Sequence, residues 1–124
     1  MNTDRYYVNF MKTEIDSLKC KSIELVDENG NCKIRMIAGN QSACIEFIGD
    51  KKLPTIQISS SEVNPVEIHF FDAEGRPCFT MGAFGNGDVG ITVRDSKGRP
   101  RIIVGYDDEA DRGLIRCLEP TQSD

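Results

Sequence analysis

A pair of apolar residues, two positions apart, returns every eleven or twelve positions through most of this 124-residue chain. The pairs are Ile23/Leu25, Ile34/Met36, Ile45/Phe47, Ile56/Ile58, Ile68/Phe70, Phe79/Met81, Ile91/Val93 and Ile102/Val104. A ninth copy starts at Leu114 and is broken by Arg116. An internal repeat of this regularity constrains the architecture before any residue propensity is considered, because each unit must stack on the next to bury its apolar face.

Within each unit the apolar residues alternate with others, as in Ile45-Glu46-Phe47 and Ile91-Thr92-Val93. β-Branched and aromatic residues at period two mark strands with one apolar face. The connections alternate in kind. Asp27-Glu28-Asn29-Gly30, Asp72-Ala73-Glu74-Gly75 and Asp95-Ser96-Lys97-Gly98 share an Asp-x-x-Gly pattern. The aspartate bonds forward to the turn backbone, and the glycine takes the left-handed conformation of a bulged hairpin. The other class is looser: 39–42, 59–65, 85–88 and 107–113. Strand, tight turn, strand and loose turn make a unit of 22 or 23 residues that recurs four times. Gly49-Asp50-Lys51-Lys52 stands where Asp-x-x-Gly belongs, while Pro54 still aligns with Pro77 and Pro100. A different loop conformation is expected there.

The pattern predicts an all-β fold, an antiparallel up-and-down meander of about nine short strands built from four hairpin repeats. A β-solenoid with a 23-residue coil is the alternative, but a solenoid corner has no need of a hairpin turn. Two apolar residues per strand on one face leave that face short of cover. The sheet therefore either closes into a narrow barrel or packs on another subunit. The repeat domain spans 23–119. Residues 1–22 form an N-terminal arm, in which Tyr7, Phe10, Met11, Glu14 and Leu18 approach helical spacing and Asp4 is placed to cap, so a short amphipathic helix is expected over 3–17. Residues 120–124 are expected to be a disordered tail.

The recurring Leu25-Val26-Asp27-x-x-Gly30 and Asp95-x-x-Gly98-Arg99-Pro100 segments resemble repeats in uncharacterised bacterial and phage-encoded β-proteins. The resemblance covers 23 to about 104. It implies a microbial or viral β-rich module and carries no catalytic residues over to this chain.

Fifteen basic against twenty acidic residues give a net charge of −5, which disfavours nucleic acid or an anionic membrane as partner, since both need a positive field. The chain has no apolar run long enough to span a bilayer and no signal-peptide pattern in its first residues, so a cytoplasmic protein, or one incorporated into a virion-type assembly, is expected. The five cysteines, Cys20, Cys32, Cys44, Cys78 and Cys117, include no Cys-x-x-Cys pair. The even spacing of the first three follows from the repeat itself, so reduced thiols are expected rather than a zinc site.

Signals of chemistry are sparse. His69 is the only histidine, mid-strand, with no triad or metal partner evident in the sequence. Phosphate-loop, dinucleotide and nucleophile-elbow patterns are absent. Asp107, Asp108, Glu109 and Asp111 are the best candidates for a cation, but their spacing is not that of a calcium loop and a solvated acidic loop is the plainer reading. Arg76 and Arg99 either brace Asp72 and Asp95 or present an anion-binding row. Val26, Ile48, Phe71, Ile103 and Ile115 are assigned to the face opposite the repeat pairs, and the first four are the interface candidates. No catalytic residue, metal or cofactor is assigned. The expected function is that of a non-enzymatic structural or interaction module of a microbial or phage assembly, self-associating through the repeat sheet and contacting other assembly proteins. The alternative is a small barrel holding a small apolar ligand.

Overall fold

The computed structural model describes residues 14–83 and 85–119. They form nine strands: β1 (Ser22–Val26), β2 (Cys32–Ala38), β3 (Ser42–Ile48), β4 (Pro54–Ser61), β5 (Val66–Phe71), β6 (Pro77–Ala83), β7 (Val89–Arg94), β8 (Pro100–Asp107) and β9 (Arg112–Cys117). Each strand pairs antiparallel with the next in one nine-stranded sheet whose spatial order is the sequence order. The meander is therefore present and the solenoid is not. The sheet does not close into a barrel: β1 and β9 are its two edges, and strands contact only their sequence neighbours. Most of the arm expected to be helical lies outside the described residues, and 14–17, at its end, are not helical.

The tight turns explain the meander. In the turn after β1, Gly30 N donates to Asp27 O at 3.0 Å and Asp27 N to Asn31 O at 2.9 Å. Gly30, Gly75 and Gly98 take φ of 83°, 82° and 80°, and the pairing register slips by one residue beside each turn. This is a four-residue turn closed by a glycine bulge. One oxygen of each turn aspartate accepts two backbone N–H groups: Asp27 from Asn29 and Asn31, Asp72 from Glu74 and Arg76, Asp95 from Lys97 and Arg99. The second oxygen of Asp72 and of Asp95 takes the arginine Nε, Arg76 at 2.8 Å and Arg99 at 2.9 Å. The arginines thus brace the turns rather than forming a free row. Prolines 77 and 100 open the returning strands at the bulge, where their missing N–H is tolerated.

The degenerate turn differs from expectation. Its backbone closes like the others, with Lys52 N donating to Gly49 O at 3.0 Å and Gly49 N to Leu53 O at 2.9 Å. Lys52 occupies the glycine position at φ 61°. The strands on either side hold the register, so the turn is imposed on a residue ill suited to it.

Register sorts the side chains into continuous rows. One runs Ile23, Met36, Ile45, Ile58, Ile68, Met81, Ile91, Val104, Ile115. The next runs Leu25, Ile34, Phe47, Ile56, Phe70, Phe79, Val93, Ile102, Cys117. The last strand corrects the expected pattern. Ile115, not Leu114, pairs with Val104, and Arg116 pairs with Ile103 on the other face. This register continues the apolar stripe to the edge and keeps a guanidinium out of it, which a break at Arg116 would not.

Candidate functional site

The apolar stripe crosses the whole sheet, and among the described residues nothing covers it. No described hydrophobic residue is buried. Phe47 leaves 37 % of its surface exposed, Phe70 41 %, Val89 50 % and Ile115 77 %. The polar face is the more shielded one: the Glu46 side chain, beside Phe47 in sequence, is only 12 % exposed. Exposure thus runs opposite to the usual sense for a sheet with one wet face.

A third row extends the stripe toward the loose turns. Ala38, Ala43 and Ser60 are aligned across β2, β3 and β4, and Val66, Ala83, Val89 and Tyr106 across β5 to β8. The small residues of the first group leave a recess of about 390 Å³ whose lining includes Ile23, Met36, Ala38, Ala43, Ile45 and Ser60. Val89 and Tyr106, in the second group, are exposed.

The opposite face pairs many of its polar groups, although the buried Nε atoms of Arg35 and Arg101 have no hydrogen-bond partner among the described residues. Glu24 pairs with Arg35 in register, and Arg35 Nε lies 3.5 Å from Glu46 Oε1. His69 gains the partners that were not evident in the sequence. Its Nε2 lies 3.0 Å from Glu67 Oε2, and its Nδ1 lies 3.3 Å from Thr80 Oγ1. Arg94 donates to Thr80 Oγ1 at 3.2 Å and Asn64 to Glu67 Oε1 at 2.6 Å. The Glu67 carboxylate can only accept, which in the neutral ring places the proton on Nε2 and leaves Nδ1 to accept from the threonine hydroxyl. Hydroxyl, imidazole and carboxylate in line have the order of a nucleophile relay. However, β6 is paired on both sides, so its N–H groups are spent in the sheet and none is free to hold an oxyanion. The signal for Glu67 was available: residues i and i+2 of a strand share a face.

The interface candidates do not form one patch. Val26, Ile48 and Phe71 end the alternate strands β1, β3 and β5 just before tight turns, and Phe71 stacks on His69 at 6.0 Å. Ile103 lies on β8 in a different row, between Thr92 and Arg116. The acidic loop is internally bonded. Asp111 Oδ1 accepts from Tyr106 Oη at 2.7 Å, Asp107 Oδ1 from Ala110 N at 3.1 Å, and Asp88 Oδ1 from Asp108 N at 3.0 Å. The bond to Asp111, some desolvation and the charge of Asp107 push the Tyr106 phenol up. Among the described residues no group of three or more His, Cys, Asp or Glu side chains is placed to hold a metal ion. All five cysteines are free thiols, and desolvation on the polar face raises that of Cys44.

The chain matches no protein-family model and no curated protein.

Proposed function

We propose that this chain is a non-enzymatic interaction module that becomes part of a larger assembly by having its apolar sheet face covered, in the first place by copies of itself. One observation carries this reading: an apolar stripe nine strands long lies on a single sheet, with no second layer among the described residues. Sheets in water gain stability by burying one face against another layer, and an uncovered stripe of this size marks an interaction surface. The likeness of the Asp-x-x-Gly-Arg-Pro repeats to bacterial and phage β-repeat proteins supports a microbial or viral setting. The absolute mass in solution, from light scattering on a sizing column, tests the reading. A discrete oligomer is expected, and Ile58→Lys, which places a charge in the middle of the stripe, is expected to dissociate it. A folded wild-type monomer at 13.8 kDa overturns it.

The recess over β2–β4 favours a second reading, a site for a small apolar ligand. On the open sheet it has a single wall, so such a ligand needs the second layer as well.

A further inference from the structure

We infer that the layer covering the stripe is one second copy of this chain, laid face to face about a two-fold axis parallel to the strands, with strand order reversed. The inference rests on the proposed self-association and specifies its geometry. In this arrangement β1 lies over β9 of the second copy, β2 over β8, β3 over β7, β4 over β6, and β5 over itself.

Three properties of the face point there. The first is shape. The recess lies at one end of the stripe, over small residues of β2 and β3, and the exposed Val89 and Tyr106 lie at the other, on β7 and β8. Reversed order sets Tyr106 of one copy over Ala38 of the other, and Val89 over Ala43. Each copy fills the other's recess, as an isologous contact requires. The second is even thickness along the stripe. Phe47 meets Val93 and Phe79 meets Ile56, so a large ring faces an aliphatic side chain; on the axis strand β5, Val66, Ile68 and Phe70 each meet their own equivalent, and Phe70 is the one phenyl ring that does so. Two sheets about 10 Å apart need this balance of volumes to pack without voids. Laid strand over like strand, about a two-fold axis across the strands, two copies would instead set Tyr106 over Ile102 and Val89 over Val93, large side chain on large.

The third is area. Nine strands about 4.8 Å apart, each with three positions on the stripe, present a face of about 40 by 18 Å. A pair then buries about 1,400 Å², within the range of stable specific complexes.

The test exchanges the volumes of one contact. Ala43→Val overfills it, Val89→Ala empties it, and the double variant A43V/V89A restores the sum with sides reversed. Association is read by sedimentation equilibrium, with far-UV circular dichroism at the same concentration reporting folding. Because each dimer holds the contact twice, each single variant is expected to weaken dimerisation about 10-fold or more. The double variant is expected to return to within about 3-fold of wild type, a non-additivity that independent sites do not show. Additive effects, or no effect, in a protein that remains a dimer overturn this register and leave self-association standing. A trimeric mass overturns the two-copy geometry with the same remainder. A monomeric wild type overturns both.

Discussion

The four tight turns each place one residue in the left-handed region, three glycines and Lys52, so exchanging the residue types there tests the turn argument in both directions. An L-residue in this conformation costs about 1–2 kcal/mol. Glycine in turn loses about 0.4–1 kcal/mol more entropy than alanine on folding. A Cβ at position 98 would meet nothing within 4 Å, so Gly98→Ala carries no steric contribution. The Lys52 side chain makes no hydrogen bond or ion pair among the described residues, and its backbone bond to Gly49 O is open to glycine as well, so Lys52→Gly removes no polar contact. The net expectation is about 0.5–1 kcal/mol in each direction, Lys52→Gly stabilising and Gly98→Ala destabilising. For a domain of this size that corresponds to about 2–6 °C in Tm. The assay is thermal unfolding followed by circular dichroism, at one fixed chain concentration because association shifts Tm. If Lys52→Gly melts no higher than wild type and Gly98→Ala melts no lower, the left-handed corner is not where the meander is strained, and the account of the turns fails.

Two further predictions come from the turns and the register. The carboxyls of Asp27 and Asp72 are held below their ordinary value of 3.8 chiefly by backbone hydrogen bonds, from Asn31 and Arg76 respectively; at Asp95 desolvation opposes the shift, but bonds from Arg99 and Lys97 prevail. A depressed folded-state pKa contributes stability that is fully present above the unfolded value and is lost as pH falls through the folded one. Melting temperature should therefore hold from neutral pH to about pH 4 and fall below it, and D72N/D95N should flatten that acid limb; an acid limb unchanged in the double variant contradicts the role given to these turns. Ile115→Lys should disrupt association, because Ile115 lies on the stripe, whereas Leu114→Lys on the other face should be tolerated. The opposite ranking by light scattering would mean that β9 pairs in the other register.

The strands and their order were legible because each is written twice, once as period-two apolar residues and once as the turn that reverses the chain. Whether the sheet closes was not legible. A barrel interior and an uncovered stripe call for the same residues at Ile45 and Phe47, and the choice between them depends on strand twist and on contact between β1 and β9, which no local pattern encodes. The face of β9 was misread because Leu114-Ile115-Arg116-Cys117 offers an apolar residue at the first two positions. Only the pairing of Tyr106 with Gly113 and Asp107 with Arg112 decides between them. Lys52 was misread for a related reason: local chemistry argues against a left-handed lysine, and the register fixed by the strands on both sides overrides it. His69 shows the reverse case. Its partner Glu67 was visible by spacing, but Thr80 and Arg94 lie across strands and depend on register.

The same register bears on how copies meet, because the sheet has open edges as well as an open face. Nine is odd, so β1 and β9 run in the same direction, and joining edge to edge head to tail makes a parallel pair, somewhat weaker per residue than the antiparallel pairs inside the sheet. A two-fold joining of like edges sets Glu24 near its copy on one side, or Arg112 and Arg116 near theirs on the other, and like charges across paired strands are unfavourable. Charges on outer strands are also a common device against edge pairing. Moreover, extending the sheet sideways leaves every residue of the stripe as exposed as before, since the new strand adds to the plane and not to the face. Only a layer over the face removes Phe47, Phe70, Val89 and Ile115 from water. The chemistry of the edges and the geometry of the stripe therefore favour the same solution, in which the face and not the edge makes the assembly.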